Sequence, residues 1–222
     1  MEKYIVRRAP EGLHPAALLS SGMWDNAAIA FITNFVEMKP NAHMPHTTLR
    51  LLYDNNALYG RFQVRDQYVR CVAQNFQDPV CLDSCVEAFI EPPGGKGYIN
   101  FEFSGSGAFL SQHIRDWIRT AKGFADFDML SVEDAAGIIA ASTLPRLVEP
   151  EITTPLTWEL GFKIPFAVFE RRGFAAPVSG DKWRANFYKC GDKTSHPHWA
   201  CWNKIDECNF HLPRCYADVV FE

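Results

Sequence analysis

Two adjoining segments alternate with a period of two, and this pattern restricts the fold more than any other feature of the chain. Residues 47–54, TTLRLLYD, and residues 58–65, LYGRFQVR, both show it. Successive side chains of a β-strand point to opposite faces, so the pattern indicates two half-buried strands. Asn55 and Asn56 lie between them and favour a tight turn, because Asn tolerates a positive φ. The sequence therefore predicts a β-hairpin here.

Short segments of similar character recur along the chain, separated by Pro, Gly and Asn. They predict an all-β, antiparallel β-sandwich of two sheets with about ten strands and one or two short helices, in a single domain over residues 1–222. Residues 115–135 have no clean period and are expected to form a long irregular excursion. Pro165 suits the start of a short helix. The further strands are expected over residues 4–8, 29–36, 83–91, 98–104, 108–114, 137–142, 156–164, 182–189 and 217–221.

Charge and cysteine content exclude several classes of function. A net charge of -4 over 222 residues gives no general attraction to nucleic acid. No apolar run approaches the roughly 20 residues that span a bilayer, so no membrane insertion is expected. The seven cysteines include no C-x-x-C pair, which favours reduced thiols over a zinc ribbon. The start of the chain lacks the apolar segment of a secretory signal, which predicts a cytoplasmic location, or a secreted or periplasmic one if a signal was removed.

Residues 190–202, CGDKTSHPHWACW, have the composition of a ligand platform. Trp199 and Trp202 lie beside His198 and Lys193. Indole faces stack on the apolar faces of sugar rings, while neighbouring polar groups bond the hydroxyls. Two alternatives remain: the indoles plug the end of the sandwich, or the loop binds a protein partner. The same stretch contains His196, which with His198, Cys190, Cys201 and His211 forms a candidate metal set.

Carboxylates offer a second kind of chemistry. Asp83 and Glu87 are four residues apart and would lie about 13 Å apart on a strand, too far for the paired carboxylates of a glycosidase. They are better suited to accept hydrogen bonds from hydroxyls, or to be exposed charges. Asp66, with Arg65 and Arg70 nearby, is expected to form a surface ion pair, or to line the same rim as Glu87. A glycoside hydrolase or metal-dependent hydrolase that uses the His/Cys loop remains the alternative to simple binding.

The ordered set of segments resembles family 9 carbohydrate-binding modules. The segments are Trp24, LRLLYDNNALYGRFQVRD, DSCVEAFIEP, GYINFEF, WELGFKIPFAVF and WRANFYKCGD through HPHWACW. The resemblance runs from about Trp24 to Phe221 and is closest to the free-standing family-9-like proteins of bacteria. It implies a β-sandwich that binds the end of a mono- or oligosaccharide, released from plant or other polysaccharides during their catabolism, without catalysis. It implies no required cofactor, and a structural calcium as an option.

The resemblance also assigns candidate sugar-binding residues. Glu87 matches the acidic hydroxyl acceptor of the family, and Trp202 matches its stacking tryptophan. Asn100 stands where the family has an arginine, and Val80 where it has a second tryptophan, so Trp199 and Tyr68 become candidates for the second wall. Other polar contacts are expected from Glu102, Asn186, Lys193 and His198.

Overall fold

Sixteen β-strands make up about half of the part of the chain that the structure describes. The computed structural model describes residues 2–10, 15–20, 22–36 and 42–222; the turns that the sequence predicts at Gly12, after the first strand, and at Ser21, before Trp24, lie outside the described residues. The strands are β1 (Lys3–Arg8), β2 (Ala30–Ile32), β3 (Asn34–Phe35), β4 (His46–Tyr53), β5 (Ala57–Asp66), β6 (Val69–Cys71), β7 (Cys85–Glu91), β8 (Tyr98–Ser104), β9 (Phe109–Thr120), β10 (Gly123–Met129), β11 (Ile139–Ser142), β12 (Val148–Ile152), β13 (Leu156–Pro165), β14 (Lys182–Cys190), β15 (Trp199–Cys201) and β16 (Ala217–Phe221).

Helical structure is limited to short segments. The α-helix α1 spans Phe166–Glu170 directly after Pro165, as the sequence predicts. The described residues also contain four 3-10 helices, at Pro15–Leu19, Gly22–Trp24, Val80–Leu82 and Pro213–Cys215. None of these helices has the length and apolar character needed to cross a membrane.

The strands form two packed sheets that share β1, which confirms the predicted β-sandwich. The front sheet has the order β10-β9-β8-β7-β14-β16-β1, and the back sheet has the order β1-β4-β5-β13-β11. β1 pairs in parallel with β16 through Lys3–Val6 and in parallel with β4 through Arg7 and Arg8, whereas the other pairings are antiparallel. β6 and β12 form a separate two-stranded ribbon. The strand count exceeds the expected ten because several predicted loops contain short strands.

Alternation along the strands places the core between the sheets. Trp158, Leu160 and Phe162 point inward from β13, as the alternation of residues 156–164 predicts, and belong to the same buried cluster as Trp183 and Phe187 from β14. Burying each such side chain stabilises the fold by roughly 1.5–3 kcal/mol. The outer face of the front sheet carries a second buried cluster, which includes Phe89, Tyr98 and Tyr188. Both faces of this sheet are therefore partly covered, and the outer covering leaves a pocket.

Two local predictions require correction. Residues 115–135 do not form an irregular excursion: β9 runs on to Thr120 and returns as β10, with Arg115 bonded to Asp126 and Asp128 across the hairpin. The turn between β4 and β5 exists as predicted, but not through a positive φ at its asparagines. Instead, Asp54 Oδ1 accepts hydrogen bonds from two backbone N–H groups of the turn.

Candidate functional site

A pocket of about 360 Å³ opens on the outer face of the front sheet. Its floor comes from β7, β8, β9 and β14, and its sides from the segments 190–199 and 208–211. Alternation along these strands explains the composition of the floor, because only every second residue of each strand faces outward. The volume lies in the range of small-molecule sites, and the lining mixes aromatic with ionisable side chains.

Two buried carboxyl groups form the polar centre of the floor. Glu87 on β7 lies directly opposite Glu102 on β8, and both line the pocket. Burial raises the pKa of Glu87 well above its usual range, and the neighbouring Glu102 raises it further. Burial likewise raises the pKa of Glu102 to about 7. Both carboxyl groups thus carry protons at a pH where exposed glutamates are ionised.

The two oxygens of the Glu87 carboxyl group have different surroundings. Oε1 accepts the thiol hydrogen of Cys190 at 3.2 Å and lies 3.8 Å from the sulfur of Cys85. Oε2 is buried and has no hydrogen-bond partner among the described residues. A buried polar atom without a partner is unfavourable by about 1–3 kcal/mol, so Oε2 is suited to a hydrogen bond with a ligand hydroxyl group.

Glu102 is held in place by an amide network. Asn100 Nδ2 donates to Glu102 Oε1 at 2.7 Å, and Gln112 N donates to Asn100 Oδ1 at 2.5 Å. Asn100 is fully buried and does not line the pocket, whereas Gln112 does. Asn100 therefore positions Glu102 without lining the pocket itself.

Trp199 forms an aromatic wall of the pocket. Its half-buried indole is fixed by a hydrogen bond of 2.8 Å from Nε1 to Asp192 Oδ1. Burial raises the pKa of Asp192, which also lines the pocket. An indole whose N–H is already bonded keeps its apolar face for a ligand.

A cation and a neutral histidine complete the lining. The Arg119 guanidinium lies over the ring of Phe124, 3.9 Å from the ring centre. His211 Nδ1 lies 2.8 Å from the hydroxyl oxygen of Tyr98, and burial lowers the pKa of His211 to about 3. His211 is thus neutral at pH 7 and acts as a polar side chain without charge.

Trp202 does not belong to this pocket, which corrects the principal candidate of the sequence analysis. Its indole is 5% exposed and packs in the core between the sheets, against Tyr4 and Phe187. The physical reason is parity: Trp199 begins β15, and Trp202 directly follows the end of this strand and bonds the carbonyl oxygen of Phe187 through its N–H, so side chains three residues apart point to opposite faces. Trp199 faces the pocket, and Trp202 faces the core.

Asn186 and Lys193 also lie away from the pocket. Asn186 is fully buried and bonds both the N–H and the C=O of Asn203, which fastens the segment after β15 to β14. Lys193 is exposed on the loop, where its backbone N–H bonds the carbonyl oxygen of Leu82. Neither side chain lines the pocket.

His198 belongs to a buried polar cluster at the end of the core. Its Nδ1 donates to the carbonyl oxygen of His196, so Nε2 accepts the hydrogen bond from Lys189 Nζ at 2.7 Å. Burial, and then the charge of Lys189, lowers the pKa of His198 to about 3. Lys189 Nζ also lies 3.7 Å from Asp66 Oδ2, and neither side chain is exposed. Asp66 therefore forms a buried ion pair, not the surface pair that the sequence suggested.

The remaining sequence candidates have structural roles. Val80 is fully buried in a small cluster, and its neighbour Cys81 is the residue that lines the pocket. Tyr68 stacks on His196, with ring centres 3.6 Å apart, outside the pocket. Asp83 precedes β7 and is buried, where its carboxylate accepts hydrogen bonds from two backbone N–H groups and from a serine hydroxyl group.

The predicted set of metal ligands is not assembled. His196 stacks on Tyr68, His198 bonds Lys189, and the thiol of Cys201 bonds the carbonyl oxygen of Asn34. The histidines and cysteines of the loop therefore provide no common centre for a hydrolase. Among the described residues, Cys190 instead meets Cys85 and Glu87. These thiols do not fit calcium, which takes six to eight oxygen ligands.

Sequence reasoning missed several pocket residues, notably Gln112, Arg119 and Asp192. Gln112 lies opposite Asn100 in register, so it could have been found by alternation on β9. Arg119 lies in the part of β9 that lacks a clean period in the sequence. Asp192 was visible in the loop, but its hydrogen bond to an indole leaves no sequence pattern.

Comparison with known proteins identifies the family of this chain. A family model of carbohydrate-binding family 9 matches residues 20–221. An extracellular protein of Arthroderma benhamiae is 26% identical over 205 residues, covering 88% of this chain and 86% of that protein. A candidate carbohydrate-binding protein of Bacteroides uniformis has a similar structure, with a TM-score of 0.84, 26% identity, and coverage of 100% of this chain and 99% of that chain.

A more distant structural relative is a family 9 module of Caldicellulosiruptor kristjanssonii in complex with cellotriose. Its TM-score is 0.65 at 10% identity, with coverage of 100% of this chain and 94% of that chain. The family match spans nearly the whole sequence, and the sandwich agrees with it. The chain belongs to carbohydrate-binding family 9.

Proposed function

We propose that the chain binds a saccharide without catalysis, and that the ligand occupies the pocket walled by Trp199. The observation that carries the proposal is the pairing of a fixed, half-buried indole with the unpartnered carboxyl oxygen Glu87 Oε2. A sugar ring offers both complements, an apolar face for the indole and hydroxyl groups that hydrogen-bond the carboxyl group. Family membership, and relatives in complex with cellotriose and glucose, support this choice of ligand.

The carboxyl pair fits binding better than bond cleavage. Glu87 and Glu102 are cross-strand neighbours on one floor, so their Cβ atoms are about 5 Å apart and both carboxyl groups approach a ligand from the same side. Glycosidases place their two carboxylates on either side of the scissile bond. We therefore assign Glu87 and Glu102 as hydrogen-bonding groups for sugar hydroxyls.

The proposed ligand is the end of a mono- or oligosaccharide. The proposal includes neither binding to nucleic acid nor insertion into a membrane. Neutral Glu102 can both donate and accept, whereas an ionised carboxylate only accepts. Gln112 and Arg119 add donors at the same floor. Sugar binding by these groups requires no cofactor.

The test is a calorimetric titration with glucose and cellotriose. Wild type should bind in the micromolar to millimolar range. Trp199→Ala should lose about 1–3 kcal/mol of binding free energy, the order of magnitude for stacking on an aromatic ring. The matched control is Trp117→Ala, which removes a half-buried indole outside the pocket and should bind as wild type does. Equal affinities of wild type and Trp199→Ala would remove Trp199 from the site, and no heat with either sugar would refute these ligands.

A further inference from the structure

Three potential metal-ligating side chains meet on the outer face of the front sheet. Cys85 on β7 lies directly opposite Cys190 on β14, and Glu87 follows Cys85 on the same face of β7. The sheet register thus brings together side chains from two strands. The two sulfur atoms and a Glu87 oxygen all lie within 4.8 Å of one another.

The distances fit a tetrahedral ion of the size of zinc. Zn–S bonds of about 2.3 Å and Zn–O bonds of about 2.1 Å put neighbouring ligand atoms roughly 3.6–3.8 Å apart. The separations from Glu87 Oε1 are 3.2 Å to the sulfur of Cys190 and 3.8 Å to the sulfur of Cys85. These two separations are within about 0.4 Å of such values, and the two sulfur atoms, which lie within 4.8 Å of each other, would stand about 3.8 Å apart around a bound ion.

The donor set selects the class of ion. Thiolate sulfur is a soft ligand that favours zinc over calcium or magnesium, and three protein ligands leave one position for water or another small ligand. Cys190 and Glu87 line the pocket, so an ion can reach the cluster from there. Binding would displace both thiol protons and any proton on Glu87, and the divalent charge would compensate the three anionic groups that result.

We propose that Cys85, Glu87 and Cys190 form a binding site for a thiophilic divalent cation, with zinc as the physiological choice. The site goes beyond sugar binding and does not depend on it. It uses Glu87 Oε1, whereas the sugar proposal uses Oε2 and the Trp199 wall.

Cobalt(II) serves as the spectroscopic probe for zinc. Titrating the full chain under a non-thiol reductant should give thiolate-to-cobalt charge-transfer absorption that saturates at one ion per chain, and zinc should abolish it. Cys85→Ala and Cys190→Ala should each lose this absorption or weaken cobalt binding at least about tenfold. The matched control is Cys71→Ala, which removes a buried thiol that faces the core and should keep the absorption.

A second measurement covers the case in which a variant folds poorly. Zinc should raise the unfolding temperature of wild type and of Cys71→Ala in proportion to occupancy, and should leave that of Glu87→Gln nearly unchanged. Absence of charge-transfer absorption in reduced wild type would overturn the proposal. So would absorption that survives in both Cys85→Ala and Cys190→Ala, because the thiolates would then lie elsewhere. No sugar is present, so these outcomes are separate from those of the saccharide titration.

Discussion

Replacing Lys189 by Met tests the energetics of the charge buried at the end of the core. The Lys189 side chain has no exposed surface, and its Nζ lies 3.7 Å from Asp66 Oδ2. At an effective dielectric constant of about 20, two unit charges at this distance attract by about 4.5 kcal/mol. Removing one partner leaves the other charge buried, and such changes lower stability by about 3–5 kcal/mol.

The same range is expected for Lys189→Met at pH 7. Asp66 retains hydrogen bonds from His43 at 2.6 Å and from the Trp158 indole at 3.0 Å, which keeps the loss from rising further. Although burial pushes the pKa of Asp66 upward, Lys189 and these two hydrogen bonds hold it below its usual value. In Lys189→Met, the Asp66 carboxylate therefore stays ionised without the compensating charge of Lys189, and this lowers the free energy of unfolding.

The assay is urea unfolding of Lys189→Met, Asp66→Asn and the double variant. The double variant should lose less than the sum of the single losses, because it leaves no uncompensated charge. The control is Lys182→Met on the same strand, whose side chain is 60% exposed and whose ion pair with Asp218 measures 3.1 Å. This shorter but exposed pair should contribute less than about 1 kcal/mol. A loss below about 1 kcal/mol for Lys189→Met, or strict additivity in the double variant, would refute the reasoning.

Two further predictions concern stability. Trp202→Ala should lower the free energy of unfolding by about 3–5 kcal/mol, as large-to-small changes in a packed core do. Urea unfolding measures this loss, and a loss below about 1 kcal/mol would contradict the core position of Trp202. Stability should show a plateau between about pH 4.5 and 6.5 and decline on both sides. Burial lowers the pKa values of His198 and His211 to about 3, so these residues reduce stability as the pH falls below about 6.5. Burial raises the pKa values of Glu87 and Glu102, so these residues reduce stability as the pH rises above about 4.5. Urea unfolding from pH 4 to 8 measures the curve, Glu87→Gln should flatten its alkaline side, and a steady rise with pH would contradict the assignment.

Alternation predicted most of the sandwich because the inner faces of its strands are continuous. The pattern of residues 156–164 placed Trp158, Leu160 and Phe162 in the core, where the structure has them. It failed over 115–135, where the register of the β9–β10 hairpin shifts on both sides of Asp126 and breaks the alternation. Arg115 pairs with Asp126 and with Asp128 across this exposed hairpin, so hydrophobicity carries little of the strand signal.

The candidate site was predictable only in part. Glu87, Glu102 and Trp199 were identified and line the pocket, and Asn100 supports it from behind. The prediction for Trp202 is wrong because Trp199 begins β15 and Trp202 directly follows it, so the two indoles, three residues apart, face opposite sides of the sheet. Lys189 is an even number of residues from the apolar Trp183 and Phe187 on β14. Its charged side chain therefore points into the core as theirs do. Its partner Asp66 lies 123 residues earlier in the chain, a separation that no local pattern reveals.

The strand shared by the two sheets has a consequence for the order in which the molecule can form. The first half of β1 pairs with β16, and Lys3 lies opposite Asp218, which is 215 residues later in the chain. β14 also pairs with β16, so the border between β14 and β1 forms only when β16 is in place. Contacts of such sequence separation slow folding, because the intervening chain must be closed before they form. We therefore expect the border between β14 and β1 to close late in folding, and a chain truncated before Ala217 to lack the strand that joins them.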